Sequence, residues 1–215
     1  MPVEEPPTTP RSFAFRATIL VVSFAVVAFG IAFMVSAHLG VAPADILSTG
    51  GAERLDIGVG TMGWISGGFF TMLAWFLKRP PQWGTIIGAV TVGFFVNIAL
   101  DLVPEPDPLI TRVPMLLLGL VLIYSAVSFG VATALGTGPM ELVMLGLSDR
   151  GMSVQVARWG LEAVVFVLGV ALGGELGVGT VMFVLLTGPV LARSLPPCVR
   201  FMRTSVLTVP TGIDA

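Results

Sequence analysis

Six apolar runs, each long enough to cross a bilayer, leave this chain few folds to choose from. They lie near residues 15–37, 58–77, 83–103, 112–134, 154–173 and 176–195. A spanning helix needs about 20 predominantly apolar residues, and in lipid the helix satisfies its own backbone polar groups. The chain has 215 residues, of which only 11% are charged, whereas a soluble domain carries about 25%. Its mean hydropathy is +0.96. The expected fold class is all-α: a polytopic protein of the lipid bilayer with six transmembrane helices. Gly188-Pro189 interrupts the last run, where neighbouring helices can re-satisfy the freed backbone groups.

A seven-residue pattern closes the first and fourth runs: Leu39-Gly40-Val41-Ala42-Pro43-Ala44-Asp45 and Leu135-Gly136-Thr137-Gly138-Pro139-Met140-Glu141. Gly frees the backbone and Pro stops the incoming helix. The same Pro suits the first turn of a new helix, and a carboxylate beside it favours the positive end of the helix dipole. Each copy predicts a helix stop followed at once by a short helix, over 44–55 and 140–150, lying at or dipping into the membrane surface.

The pattern belongs to a longer repeat. At an offset of 96, Leu39, Gly40, Pro43 and Asp45 meet Leu135, Gly136, Pro139 and Glu141; at 95, Val59 and Trp64 meet Val154 and Trp159. The same 95 brings Gly84, Thr85 and Gly93 onto Gly179, Thr180 and Gly188. Three spans per half, an odd number, put the second half upside down relative to the first, an arrangement many secondary transporters use. The expected organisation is a cytoplasmic tail over 1–12, a six-helix domain over 13–195 and a second cytoplasmic tail over 196–215. Within the domain, repeat one covers 13–103 and repeat two 110–195. The leader, with Pro2, Pro6, Pro7, Pro10, Glu4 and Glu5, has the composition of a disordered segment. No cleavable signal peptide is expected, because the first run is too long for one.

Orientation follows from lysine and arginine. With six spans, Arg11, Arg16, Lys78, Arg79, Arg150, Arg158, Arg193, Arg200 and Arg203 share one side, and only Arg54 and Arg112 lie on the other. Both termini are therefore expected in the cytoplasm of a bacterial cell. The far side holds Asp56, Asp101, Glu105, Asp107 and Glu175.

The double Leu-Gly-x-x-Pro-x-acid motif, the tryptophan at the start of the following span and the Leu176-Gly177-Val178-Gly179-Thr180 entry to the last span resemble the YczE/YyaS/YitT-type bacterial integral membrane proteins. The resemblance covers about residues 13–195. Where that family usually has Gly in the first copy, this chain has Ala42. The resemblance implies the multi-pass fold, and membrane transport is what is usually supposed of such proteins.

Candidate pathway residues each carry two readings. Asp45 and Glu141, with Gly40, Pro43, Gly136 and Pro139 around them, form either a symmetry-related pair for a proton, cation or polar solute, or two helix-capping acids. Arg158 and Glu162 lie four apart on one face of the fifth span. They are either pathway charges or a pair locking helices, and Glu162 is expected to point into the bundle. Asn97 is an interhelical hydrogen bond or a substrate ligand. Trp64 and Trp159 occupy matched places and either pack the core or line a cavity. His38, beside the first motif, is an interface histidine or a proton relay. The glycines crowding the second span, Gly58, Gly60, Gly63, Gly67 and Gly68, predict close helix approach. Trp75 and Trp83 are expected as interface anchors.

No enzyme is expected: no phosphate loop, metal constellation or nucleophile with an evident base appears, and no catalytic residue, cofactor or metal is expected. Cys198 is the single cysteine and His38 the single histidine. No basic stripe invites nucleic acid. The leading expectation is a membrane transporter or exporter of an unknown small molecule, its path between the repeats. The alternatives are a non-transporting protein that supports or regulates a partner, and a small-molecule-binding subunit of a multi-component importer. Self-association and a partner membrane protein both stay open.

Overall fold

A computed structural model of the chain describes residues 10–203. Eight helices and no strands are present among them: α1 Phe13–Ser36, α2 Pro43–Leu55, α3 Val59–Phe76, α4 Trp83–Leu102, α5 Leu109–Ala132, α6 Pro139–Ser148, α7 Val154–Ala171 and α8 Val178–Met202. Five of these, α1, α4, α5, α7 and α8, are long and apolar enough to cross a membrane. A sixth span results if α2 and α3, bent by 116° at their break, count as one. The expected second run is α3, whose glycines, threonine and tryptophan dilute its apolar content. Most of the expected tail over 1–12, and the residues after 203, lie outside the described residues.

The motif prolines act as expected. Pro43 and Pro139 each open a short helix with an acid in the first turn. The turns around the helices repeat as well. His38 and Ala134, both left-handed, follow α1 and α5; Asp56 and Gly151 follow α2 and α6; Lys78 and Gly173 follow α3 and α7.

Packing divides the helices into two groups. A row runs α4–α1–α5–α8, while α2 and α6 each pack on both α3 and α7. The α3–α4 contact joins the groups. Helices α1 and α5 run antiparallel: Gly30 lies against Gly119 and Ile123, and Ser23 and Leu20 lie against Gly130. A Cβ on Gly119 would fall 2.8 Å from the Gly30 carbonyl oxygen, so only glycine lets these backbones approach so closely. Beside this crossing sits the main core, with Met34, Val41, Ile46, Leu116, Leu120, Ile123 and Tyr124 buried together.

The last helix runs past the expected end at 195, through Pro189, Pro196 and Pro197 to Met202. Cys198 and Met202 pack with Ala132, Phe15 and Ile19, and this burial holds the turn that the prolines would otherwise break. The two ends of the described chain meet there. The Arg11 backbone N–H donates to the Met202 carbonyl at 3.2 Å, and Arg11 Nε to that of Phe201 at 2.9 Å.

Candidate functional site

Each helix break is held by the other half of the chain. The Leu39 carbonyl ends the turn after α1 and accepts from the Gly179 N–H at the start of α8, 2.7 Å away. The Leu135 carbonyl, after α5, accepts from the Gly84 N–H at the start of α4, at 3.3 Å. Gly40 is left-handed at φ +99°, and a Cβ there would lie 2.5 Å from Gly177 N and 2.8 Å from Thr180 Oγ1. A Cβ on Gly136 would lie 2.7 Å from Thr85 N. Glycine is needed at both helix entries, because a Cβ on Gly84 would lie 2.6 Å from the Leu135 carbonyl oxygen and one on Gly179 2.3 Å from that of Gly40. Thr85 Oγ1 donates to the Thr137 carbonyl at 2.6 Å, whereas Thr180 Oγ1 is buried without a partner.

Arginines finish the same junctions. Arg16 Nη1 donates to the Thr133 carbonyl at the end of α5, 2.9 Å away, and Arg112 Nε to the Ala37 carbonyl at the end of α1, 2.6 Å away. A helix leaves its last carbonyls unsatisfied and slightly negative, so a guanidinium there meets both needs. The charge count takes Arg112 as an exception on the far side; it is placed by this cap.

The two acids differ. Asp45 is half-buried on α2 and makes no side-chain hydrogen bond or ion pair. Glu141 is exposed, and its Oε2 curls back against Gly138 at the start of α6, the position of a capping acid. Pro43 is buried and Pro139 half-buried. Asp45 and Glu141 stand on different short helices, each of which packs on both α3 and α7.

Arg158 and Glu162 meet on α7, Nε to Oε1 at 2.9 Å. Glu162 is 29% exposed and Arg158 49%. They flank the stripe of Ala157, Val165 and Gly169 by which α7 packs into the bundle. Glu162 therefore stands at the rim of the packed face. Asn97 is an interhelical bridge: its Oδ1 accepts from the Gly60 N–H at 2.9 Å and its Nδ2 donates to Thr61 Oγ1 at 3.3 Å. Trp64 donates from Nε1 to the Val90 carbonyl at 2.8 Å, tying α3 to α4. Its counterpart Trp159 is 62% exposed, and its indole makes no hydrogen bond. Of the second-span glycines, Gly58 and Gly60 touch Asn97, and Gly60 also meets the Gly93 carbonyl; Gly63 and Gly68 face open space.

Sequence reasoning missed the cluster around His38. His38 Nδ1 lies 2.5 Å from Glu175 Oε1, and Nε2 lies 3.7 Å from Glu105 Oε2. The hydrogen bond to Glu175 raises the His38 pKa above its ordinary value, opposed by partial burial and aided by the charges of Glu175 and Glu105. Beside it opens a cavity of about 360 Å³ lined by Thr49, Glu53 and Asp56 of the first half and Gly173 and Glu175 of the second. No signal in the sequence joins positions 38 and 175, which meet only because each motif sits on the entry to α8 or α4. A second missed set joins α5 to α8: Tyr124 Oη donates to the Phe183 carbonyl at 3.0 Å, and Ser128 Oγ lies 2.6 Å from Ser194 Oγ. No group of three or more His, Cys, Asp or Glu that could hold a metal ion occurs among the described residues.

Such helices, broken and clasped in this way, define a multi-pass membrane protein. Residues 14–194 match the model of a family of unknown function, DUF6198, and the chain belongs to that family. It is 27% identical to the "Uncharacterized membrane protein YczE" of Bacillus subtilis (strain 168) over 95% of this chain and 97% of that protein. It is 30% identical to an "Uncharacterized protein" of Haemophilus influenzae over 90% of this chain and 85% of that one. No solved structure matches it significantly.

Proposed function

We propose that the chain is a non-enzymatic membrane transporter or exporter of a small molecule, built from two inverted repeats with its path at their junction. The observation that carries the reading is the exchange of contacts between halves. Gly179 on Leu39 becomes Gly84 on Leu135, and Arg112 on Ala37 becomes Arg16 on Thr133, under the same shifts that align the sequence. Equivalent helices α1 and α5 lie antiparallel, as a rotation axis in the membrane plane requires. Broken helices beside such an axis are where transporters of this architecture bind their substrates. The cavity beside His38 opens between the halves, and its Glu53, Asp56 and Glu175 favour a polar solute of positive or zero charge. Asp45, an acid with no side-chain partner on a short broken helix, and Glu162, at the rim of α7, are the ionisable groups proposed for the path.

The test is flux through proteoliposomes against a panel of labelled cationic, neutral and anionic metabolites. Wild type is expected to move at least one cationic or neutral solute, and Asp45→Asn to stop it without loss of folded protein. If wild type moves nothing in the panel, or Asp45→Asn moves it as well as wild type, this pathway is wrong. A second reading, support or regulation of a partner membrane protein, draws on one observation: α7 and α8 do not close on each other as α3 and α4 do, and they expose Trp159, Val164, Val167 and Leu185. Cross-linking from Trp159→Cys in membranes, yielding one reproducible heteromeric adduct, would favour it.

A further inference from the structure

Helices α3 and α4 pack together and share a groove. Near the end of α4 they are locked by Gly60 on Gly93, Asn97 on Gly60 and Trp64 on Val90. From Trp64 toward the end of α3 runs an open groove of about 750 Å³, walled by Trp64, Gly68, Met72, Trp75, Phe76, Ile86 and Val90. Thr71, on the same wall, spends its hydroxyl on the Gly67 carbonyl at 2.7 Å, so the wall asks for no polar partner. Gly68 has nothing within 4 Å of where a Cβ would stand. This glycine is therefore not there for helix packing; it keeps the groove deep.

The groove has a polarity along its length. From Trp64 to Trp75 the helix rises about 16 Å at 1.5 Å per residue, close to half of a hydrocarbon core about 30 Å thick. The groove extends to Phe76 at the end of α3, with Trp75 and Trp83 strongly exposed there, 67% and 82%, as anchors at headgroup depth are. The turn after α3 carries two cations. Arg79 is engaged by Asp149, whereas Lys78 is exposed and its ammonium makes no hydrogen bond or ion pair. A long apolar slot of one leaflet's depth, beside a turn that carries an unengaged ammonium two residues beyond Phe76, complements one kind of molecule.

We infer that the α3–α4 groove holds one acyl chain of an anionic phospholipid, whose headgroup meets Lys78. The groove is lined by neither Asp45 nor Glu162, the ionisable groups proposed for the path.

The test uses the full chain in mild detergent, incubated with equal amounts of phosphatidylglycerol and phosphatidylcholine and read by native mass spectrometry. Wild type is expected to retain one lipid, phosphatidylglycerol over phosphatidylcholine by about fivefold, the worth of one lysine near an anionic headgroup. Gly68→Phe fills the slot and should lose the retained lipid of both kinds. The control is Gly188→Phe on α8, where a Cβ likewise meets nothing; it should keep the lipid. Lys78→Gln should keep a lipid and bring the preference to about one. Retention by Gly68→Phe equal to wild type, no retained lipid in wild type, or an undiminished preference in Lys78→Gln overturns the inference. So does a dimer that Gly68→Phe dissociates, because a second copy would then be the occupant.

Discussion

Arg16 and Arg112 carry the same task at opposite ends of the α1–α5 pair. Each donates to the C-terminal carbonyl of the helix it lies beside. Neutralising one, as in Arg112→Met, leaves those carbonyls short of a donor in a partly buried place, and should cost about 1–2 kcal/mol. Reversible denaturation in micelles reads this, and Arg16→Met should cost a similar amount if the two sites are equivalent. His38 gives a pH signature at the same corner. Its pKa is raised in the folded protein, chiefly by Glu175, so the link is fully present below its ordinary value of about 6.5 and fades as pH rises through the raised value. The melting temperature should therefore fall over that alkaline window in wild type. His38→Gln should remove that part of the slope; an unchanged slope would mean Glu175 binds no imidazolium.

Between elements, the glycines divide by what stands opposite them. Gly40 is left-handed and pressed on the Gly177 backbone, so Gly40→Ala meets both strain and a clash with backbone that cannot yield. It should cost well over 2 kcal/mol or prevent folding. Gly63 lies mid-helix with open space beside it, so Gly63→Ala should be neutral or stabilising by up to about 1 kcal/mol. Thermal melts of the two variants check the contrast. The motif singles out Gly40, but the sequence treats Gly60 and Gly63 alike, although Gly60 presses on the Gly93 carbonyl and Gly63 faces open space. Helix existence was legible: apolar length placed the spans, and Pro43 and Pro139 placed the starts of α2 and α6. Legibility ended where tertiary burial overrides local rules. Pro196 and Pro197 signal a stop, yet α8 continues because Cys198 and Met202 are packed against α1 and α5. Trp64 and Trp159 align in sequence, but only Trp64 has a carbonyl to bond, since α7 and α8 stay apart. The Arg158–Glu162 pair was legible from its spacing of four; its place at the rim depends on which face of α7 meets α2.

At the scale of the whole chain, the start of α1 and the end of α8 meet, and the excess of lysine and arginine on that side predicts that it faces the cytoplasm. Cys198 is buried, so single cysteines should be introduced into a Cys198→Ala background. Glu105→Cys is expected to react with a membrane-impermeant thiol reagent in intact cells, and Gln82→Cys only after lysis; the reverse pattern would invert the protein. The relation of the halves has a sharper test. Ser128 and Ser194 bond across α5 and α8 at 2.6 Å, and the shifts of 96 and 95 carry them onto Ala32 and Ala99, which are fully buried in one cluster between α1 and α4. If the halves are equivalent, a hydroxyl pair placed there should find the same geometry. Ala32→Ser and Ala99→Ser should each destabilise, since each buries a hydroxyl with no partner across the interface. Together they should recover about 0.6 kcal/mol relative to the sum, the usual worth of a hydrogen bond between membrane helices. A double-mutant cycle in micelles measures that coupling, and strict additivity would mean that the two helix pairs are not related as the alignment requires.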